Sequence, residues 1–479
     1  MTKVAVIGAG CSGVLVCKAL GVHARRAGIS EVVLYEGSGP FGPGLAYGPD
    51  TTADPFILNM ATSLLGVDAE RPDAFLQWLK EVPGHPKIDP DGYVGRRLMG
   101  RYLTDELKAA ERRLTGQGVR FRRVAHMVDD IERDGSGWAV HTPEAREPGI
   151  GKVVLAVGHL QKRTPFPASS RYFANPYHDL GRLRSAVSPG AQVGILGTKL
   201  TAVDMALLLG SMGVAAVHLY SNSGRLPLVR GLVPDALASS GEMDIAADSL
   251  TGFLRWFRRA QKYDCEYEGF FKPVDSCVRL RREIDAAQKV RDWQIRLDAT
   301  KSHIDHYWSR LDNTQKRRFY RKYQGMWMSY RHPMPVINAR KIEAMLRSGQ
   351  LSIHRGYKAT RIAPDGKVWV DVSDGTLTLD YAVDATGFAG NLTHLDSPLI
   401  ERLLDRGLVK QCSHGGIAID PKTHLAHGAS GLYAIGPLTQ GSLFYVSAIE
   451  RLAVHAANIS AHLAASAHPV YSDAAPVAS

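Results

Sequence analysis

The sequence of 479 residues has no apolar run of about 18 residues, the length that a membrane-spanning helix needs. It begins MTKVAVIGAG, a short strand entering a glycine turn, and not a basic segment followed by a cleavage site. We therefore expect neither a membrane span nor a signal peptide, and we predict a cytoplasmic protein.

Cysteine is scarce, and no CxxC pair is present, which argues against a dithiol reductase. The odd, scattered set of cysteines is typical of a reducing compartment. It consists of Cys11, Cys17, Cys265, Cys277 and Cys412. Thiol and imidazole groups late in the chain fit no standard spacing of zinc ligands, so we predict no metal site. These groups belong to Cys412, His414, His424 and His427.

The chain is basic, with a formal net charge of +11, but its excess of positive charge is mixed with negative charge. Much of the excess lies in residues 255–347, where acids are interleaved with Arg and Lys as on a solvated helical surface. We therefore predict no nucleic-acid binding; an anionic cofactor or substrate suits the charge better. These acids include Asp264, Glu266, Glu268, Glu283, Asp285, Asp292, Asp298 and Asp305.

The start of the chain has the order of elements that dinucleotide-binding folds have. A β-prone stretch at 3–7 leads into GAGCSG at 8–13, an apolar helix follows, and a second strand at 31–35 ends at Glu36. Gly8 allows the tight turn, Gly10 lets the backbone approach a pyrophosphate, and Gly13 lets helix and strand pack closely. The helix N-terminus attracts the phosphates, and Glu36 can accept ribose hydroxyls at the expected separation of about 20 residues.

A second strand, turn and helix begin at Gln192, with QVGILGTKLTA at 192–202. Two such folds in one chain suggest two dinucleotides, a bound flavin (FAD) and a transient nicotinamide. The second fold has no acid at the end of its second strand and offers Ser221, Asn222 and Arg225. Because an acid would repel a 2′-phosphate and an Arg would pair with it, we predict NADPH. The alternative is that Arg225 only lies along the surface.

Lys199 stands where the second turn would have its middle glycine. Its side chain can crowd the pyrophosphate, or its ammonium can pair with a phosphate. The sequence leaves both alternatives open.

Three further segments favour a flavin. VVLAVG at 153–158 and AVDATGF at 382–388 are apolar strands that end in a small residue and glycine, which lets the chain pass close to a cofactor. GLYAIG at 431–436 precedes a predicted helix from about Phe444 to His462. The N–H groups at its start would face the edge of the flavin that becomes negative on reduction.

Together these motifs resemble those of flavoproteins with two dinucleotide domains, the class of the N-hydroxylating and Baeyer–Villiger monooxygenases. More closely, the chain resembles a bacterial FAD/NAD(P)-binding family related to the amine-hydroxylating enzymes. The resemblance covers nearly the whole chain. It rests on GAGCSG at 8–13, GPGLAYGPDTTADPFILNMA at 42–61, YVGRRLMGRYL at 93–103, GTKLTAVD at 197–204, DATGF at 384–388 and GLYAIGPLTQGSLF at 431–444.

The resemblance implies roles for individual residues. Asn59 would bond the flavin N5 region or the nicotinamide amide, and Tyr47 would lie near the ring; the alternative for Asn59 is that it caps a helix from Ala61 onward. The candidate cofactor-binding residues are Gly8, Gly10, Ser12, Gly13, Glu36, Gly44, Leu45, Asn59, Met60, Val128, Gly158, Gly387, Gly436, Leu443 and Phe444 for FAD, and Gly197, Thr198, Lys199, Thr201, Ser221, Asn222 and Arg225 for the nicotinamide.

We predict an α/β protein with two Rossmann-like domains and a helical insertion. The FAD domain would comprise residues 1–165 and 384–465, the NADP domain 188–228 and 335–383, the insertion 229–334, and a disordered tail 466–479. Two apolar stripes at helical spacing predict that the insertion has a core. The first consists of Leu250, Phe253, Leu254 and Phe257, and the second of Ile304, Tyr307, Trp308 and Leu311. At the end of the insertion, Trp327, Arg331 and His332 are candidates for substrate contact, with packing as the alternative.

The segment from Phe173 to His178 lacks the glycine of the Baeyer–Villiger FxGxxxH fingerprint and is one residue short, which argues against that class. Our leading hypothesis is an NADPH-dependent FAD monooxygenase that oxidises a small nucleophile, an amine or amino acid, by way of a C4a-hydroperoxyflavin. One alternative is a flavin-dependent dehydrogenase or reductase with an acceptor other than oxygen. The other is a non-catalytic FAD-binding module.

Overall fold

The computed structural model describes residues 2–37, 39–68, 71–83, 88–167, 171–233, 249–259, 275–301, 303–387 and 390–467. Its strands are β1 (Thr2–Ile7), β2 (Ile29–Tyr35), β3 (Arg120–Val124), β4 (Asp130–Asp134), β5 (Gly137–His141), β6 (Arg146–Ile150), β7 (Lys152–Leu155), β8 (Tyr172–Phe173), β9 (Gln192–Leu196), β10 (Ala216–Ser221), β11 (Leu351–Arg355), β12 (Ala359–Ile362), β13 (Val368–Val372), β14 (Gly375–Leu379), β15 (Tyr381–Asp384) and β16 (Leu432–Ala434).

The α-helices follow the same order. They are α1 (Cys11–His23), α2 (Gly44–Tyr47), α3 (Ala74–Glu81), α4 (Arg96–Thr115), α5 (Leu180–Ala186), α6 (Leu200–Ser211), α7 (Leu250–Arg259), α8 (Ser276–Ala286), α9 (Asp292–Thr300), α10 (Ile304–Arg310), α11 (Asn313–Lys322), α12 (Gln324–Arg331), α13 (Val336–Arg347), α14 (Pro398–Asp405) and α15 (Ile449–Ala467).

The first domain is built on a parallel sheet of five strands in the order β16-β7-β1-β2-β3. Helices α1, α4 and α15 pack together on one face, and β1 is buried from Val4 to Ile7 because both faces of the sheet are covered. This arrangement brings the C-terminal strand and helix back to the first strand and helix. The glycine turn between β1 and α1 therefore lies at the carboxyl edge of the sheet.

The second domain has a parallel sheet of the same size, in the order β11-β10-β9-β15-β8. The predicted NADP segments began at 188 and ended at 383, whereas this sheet also takes in β8, before 188, and the last residue of β15, Asp384. A strand of two residues has too little periodicity to be recognised in the sequence. The segment at 382–388, which we associated with the flavin, thus starts within the second sheet; Phe388 lies outside the described residues.

The helical insertion encloses an aromatic core between the two domains. Both predicted apolar stripes lie in this core: Phe253 and Phe257 of the first and Tyr307 and Trp308 of the second are at most 9% exposed. Tyr445, from the segment before α15, packs into the same core. The insertion is therefore anchored on the last part of the first domain.

The C-terminal helix begins later than the sequence predicted. We expected it from about residue 444, but α15 begins at Ile449, and the N–H of Phe444 donates to Asp305 of the insertion at 3.4 Å. The tail after Ala467 lies outside the described residues, as does Cys265. No helix in the described ranges has both the length and the apolar character to cross a bilayer.

Candidate dinucleotide sites and substrate pocket

The first glycine turn has the close contacts that its glycines predict. Gly8 has φ +101°, and a Cβ there would lie 2.5 Å from the carbonyl oxygen of Ala156, directly after the neighbouring strand β7. A Cβ on Gly13 would lie 2.0 Å from the carbonyl oxygen of Gly8. Gly10 precedes α1 in an extended conformation and supplies no side-chain cap. The first N–H groups of α1 are thus available to an anion.

Glu36 lies beside this turn, at the end of β2. Its Oε2 accepts the backbone N–H of Ala9 at 3.0 Å. The structure therefore places the predicted ribose acceptor against the glycine turn, where the same carboxylate also orders the turn.

A second glycine-rich segment, GPGL at 42–45, covers the first turn. The N–H of Gly42 donates to Ala9 at 2.8 Å, and a Cβ on Gly10 would meet the Cα of Gly44 at 3.2 Å. Gly44 itself has φ +57°. Leu45, next in the chain, packs against the core of the second domain. This segment therefore connects the first turn with the second domain.

The remaining FAD candidates surround the same sheet edge. Gly436 has φ +79°, and a Cβ on it would lie 2.8 Å from Ser12 Oγ. Gly158 lines a small cavity with Pro437. Val128 and Leu443 are buried in the core on the other face of the sheet, whereas the Phe444 ring packs on the insertion. The structure thus brings Gly158 and Gly436 to the edge and assigns packing contacts to the three larger side chains: Val128, Leu443 and Phe444.

The second glycine turn repeats the first with different side chains. Gly197 has φ +121°, and a Cβ on it would meet the carbonyl oxygen of Ala385 at 2.6 Å. Thr198 Oγ1 donates to the carbonyl oxygen of Arg225 at 2.7 Å and lies 3.3 Å from Ser221 Oγ. These contacts tie the turn to the end of β10, while Asn222, just beyond β10, is exposed.

Lys199 does not fold over the start of α6. Its Nζ donates to the carbonyl oxygen of Arg225 at 3.2 Å and to Ser329 Oγ of the insertion. Removal from water, together with the positive charges of Arg279 and Arg225, lowers the pKa of Lys199 to about 7. The ammonium therefore reaches the end of β10, where the ribose of a nicotinamide dinucleotide is expected.

A cleft lies between the covering segment of the first turn and the start of α6. Leu45 of the first domain and Thr201 and Gly387 of the second contribute to its walls. Nearby, Arg96 of α4 donates to Asp204 of α6 at 2.6 Å. This buried ion pair fixes the two domains against each other beside the cleft.

The three substrate candidates from the sequence fall in two environments. Trp327 is 1% exposed and packs among Phe253, Phe257 and Phe444, so packing accounts for it. Arg331 is 8% exposed; its Nη2 lies 3.5 Å from Glu450 Oε1. The guanidinium of Arg331 also stands 4.5 Å over the ring of Tyr445. These Arg331 contacts join the insertion to the start of α15.

Arg230, which the sequence analysis missed, completes this group. It is 8% exposed, and its Nε donates to the carbonyl oxygen of Asn59 at 3.0 Å, with Met60 Sδ at 3.8 Å from Nη2. Burial lowers the pKa of Arg230, and the pKa of His332 falls to about 3 through burial and the charges of Arg331 and Arg230. We name the cluster of buried side chains formed by Arg230, Arg331 and His332 the basic pocket. An arginine within the apolar run LPLVRGLV was the one signal that could have revealed it.

Of the two predicted catalytic residues, Asn59 contacts this pocket. Asn59 presents its backbone to Arg230, and it does not cap the short 3-10 helix at Thr62–Leu64, which Ala61 precedes without a side-chain cap. Burial raises the pKa of Tyr47, and the charges of Arg96 and Glu450 also act on its hydroxyl. Tyr47 ends α2, and its side chain packs against the core of the first domain.

Comparison with known proteins adds to this geometry. Residues 5–160 match the model of a protein family described as FAD-NAD(P)-binding. The matched stretch contains the end of β1, the first glycine turn and the strands from β2 to β7. A search of curated protein sequences finds no match.

Solved structures resemble the chain over its full length. An ornithine N-hydroxylase from Kutzneria sp. 744 is 15% identical with a TM-score of 0.59, and covers 97% of this chain and 99% of that one. L-lysine 6-monooxygenase from Pseudomonas syringae is 14% identical with a TM-score of 0.59, and the match covers 97% of this chain and 99% of that one. A bacillithiol disulfide reductase from Bacillus cereus is 13% identical with a TM-score of 0.51, and the match covers 97% of this chain and 99% of that one. The chain thus has the fold of flavoproteins with two dinucleotide domains, and both types of enzyme use that fold.

Proposed function

We propose that the chain is an NADPH-dependent FAD monooxygenase that oxidises the nitrogen of a small amine carrying an anionic group, such as an amino acid. The observation that supports this most is the basic pocket, which two buried arginines and a histidine form against the Asn59–Met60 segment. The fold alone is compatible with a monooxygenase or a reductase. Buried cations that can bind a small charged molecule, in a chain without a CxxC pair, favour the monooxygenase.

The residues at the first glycine turn fit FAD. Gly8 and Gly13 have no room for a side chain, and Gly10 leaves the start of α1 open to a pyrophosphate. When bound, FAD would accept hydride from NADPH and supply the chemistry with oxygen. The protein itself binds the cofactor at this turn, and the Gly42–Tyr47 segment encloses it.

The nicotinamide would bind across the second turn. Gly197 provides the same close backbone contact as Gly8, and Ser221 and Arg225 stand at the end of β10. The cleft lined by Leu45, Thr201 and Gly387 lies beside the start of α6. This placement would bring the nicotinamide toward the flavin from the side of the second domain.

The basic pocket would orient the substrate and set its protonation state. Arg230 and Arg331 can bind a carboxylate through charge-assisted hydrogen bonds. Their positive charges also disfavour an ammonium nearby, which lowers the pKa of the substrate amine and favours the nucleophilic free base. His332 is neutral near pH 7 because its pKa is about 3, so its ring can accept a hydrogen bond from the amine.

The test is turnover of the FAD-loaded protein with NADPH, ¹⁸O₂ and a panel of amines, amino acids and their decarboxylated analogues. We expect one ¹⁸O atom in a hydroxylamine product, and a faster reaction with a carboxylated amine than with its decarboxylated analogue. NADPH oxidation that leaves oxygen untouched and needs another acceptor would contradict the proposal and indicate a dehydrogenase or reductase. Bound FAD with no turnover by either nicotinamide would indicate a binding module.

A further inference from the structure

Two histidines and a serine bring three ligand atoms together on the second sheet, away from both glycine turns. Ser352 Oγ lies 2.8 Å from His218 Nδ1 and 3.0 Å from His354 Nε2. The two ring nitrogens lie 3.2 Å from each other. The three atoms therefore form a nearly equilateral triangle, on side chains that are half-buried.

The parallel register of β10 and β11 produces this cluster. His218 is the register partner of Ser352, and His354 lies two residues further along β11. Because side chains two apart on a strand share a face, both residues of β11 lie on the same side as their neighbour on β10. The two histidines are 136 residues apart, so no spacing in the sequence could reveal the group.

Hydrogen bonding alone does not account for all three contacts. A neutral ring nitrogen either donates or accepts, and the serine hydroxyl has one proton. One ring can donate to Ser352 while Ser352 donates to the other ring. The contact between the two ring nitrogens is then left without a proton of its own, whereas a cation between the three atoms would accept a lone pair from each.

The distances and the protonation states fit a metal ion. With bonds of about 2.0–2.1 Å, two ligand atoms lie about 2.9 Å apart at a right angle and about 3.3 Å apart at the tetrahedral angle. The three observed distances, 2.8, 3.0 and 3.2 Å, are close to that range. Burial lowers the pKa of His218 and of His354, so both rings are neutral near pH 7 and keep a lone pair for a metal.

We propose that His218, Ser352 and His354 bind a divalent transition-metal ion of the kind that imidazole ligands suit, such as Zn²⁺ or Ni²⁺. No cluster of three or more His, Cys, Asp or Glu side chains that could hold a metal occurs in the described ranges, and this site uses a hydroxyl as its third ligand. Because β11 is the edge strand of the second sheet, the ion would link that edge to β10. Binding to the folded state would stabilise the second domain independently of the proposed oxidation chemistry.

The experiment is titration of the FAD-loaded full chain, free of any affinity tag and of bound metal, with Zn²⁺ and separately with Ni²⁺ against a chelating indicator dye. We compare the unmodified chain with His218→Gln, His354→Gln and Ser352→Ala. His126→Gln is the matched control, because His126 is also half-buried and its Nε2 lies 3.2 Å from a carboxylate oxygen of Glu144. Thermal melting without metal shows whether each variant is folded.

We expect one ion per chain and at least about tenfold weaker binding in either histidine variant, since a loss of that size follows even from changing a residue that only supports a ligand. Ser352→Ala should weaken binding less, and His126→Gln should not change it. The metal should raise the Tm of the unmodified chain and of His126→Gln but not that of the histidine variants.

Two results would overturn the site. One is that the unmodified chain binds neither ion, or that both histidine variants bind as tightly as the unmodified chain. The other is equal weakening in His126→Gln, which would show that the ions bind to histidines over the whole surface.

Discussion

The two glycine turns of this chain have nearly the same backbone and opposite side-chain chemistry. Both begin with a glycine at positive φ, which lies against a carbonyl oxygen just after the neighbouring strand, β7 in one case and β15 in the other. The residue before the helix is extended in both, with φ −76° and ψ −166° at Gly10 and φ −96° and ψ −166° at Lys199. That conformation admits any side chain. The neighbours therefore decide whether a side chain is tolerated.

The neighbours differ between the two turns. Gly44 of the covering segment presses its backbone on Gly10, whereas the side chain of Lys199 runs to Arg225 and Ser329. The first turn is followed by an acid, Glu36, and the second by Arg225, whose carbonyl oxygen accepts from Lys199. The first is thus a closed site suited to a permanently bound dinucleotide, and the second suits a phosphorylated one that enters and leaves.

A lysine at the middle position of the first turn should have the largest effect. Gly10→Lys puts a Cβ 3.2 Å from the Gly44 Cα and a long side chain under the covering segment, so we expect at least a hundredfold loss of FAD affinity. The measurement is the ratio of flavin to protein absorbance after purification and after dialysis against FAD. Gly181→Lys, at an exposed glycine with open space around it, should keep its flavin. A yellow, fully loaded Gly10→Lys protein would contradict the account.

Removing a charge from the basic pocket should lower kcat/KM for the substrate and leave the binding of both dinucleotides unchanged. Arg230→Met deletes a buried cation that has been assigned to the anionic group, and we expect kcat/KM to fall about 10- to 100-fold. FAD content and the rate of flavin reduction by NADPH should stay the same. The control is Arg321→Met on the exposed face of α11. A variant with unchanged kcat/KM would remove Arg230 from the substrate site.

A glycine at the middle position of the second turn should weaken NADPH binding. Lys199→Gly fits the backbone and removes the ammonium from the end of β10. We expect NADPH to bind about tenfold more weakly and NADH to be nearly unaffected, because the lost contact is to the 2′-phosphate. Fluorescence titration of both nucleotides measures this. Tighter binding of NADPH would show instead that Lys199 crowds the dinucleotide.

The smallest expected effect is the change of NADPH affinity with pH. The pKa of Lys199 is about 7, so the side chain is charged below that pH and mostly neutral above it. A bound phosphate favours the charged form, and NADPH affinity should therefore fall as the pH rises through 7, by up to about tenfold between pH 6 and 8.5. The Lys199→Gly protein lacks this group, and the difference between the two profiles isolates it. Parallel profiles would contradict a role for the Lys199 charge.

The sequence predicted those features that depend on residues close together along the chain. The glycine turns, the positions of Glu36 and Arg225, and the apolar stripes of the insertion follow from residues close together along the chain. Arg230 could not be recognised, because its partner Asn59 is 171 residues away and the contact exists only when the insertion docks on the first domain. The start of α15 was placed too early for the same reason, since Phe444 is held by Asp305 of the insertion.

The most direct test is anaerobic rapid mixing of the FAD-loaded protein with NADPH or with NADH, following the absorbance of oxidised flavin. With a closed flavin site and a cationic second site, we expect NADPH at equal low concentration to reduce the flavin at least about tenfold faster than NADH. Equal rates would contradict the 2′-phosphate assignment. No reduction by either nucleotide would contradict the central claim that the second turn delivers a nicotinamide to the first.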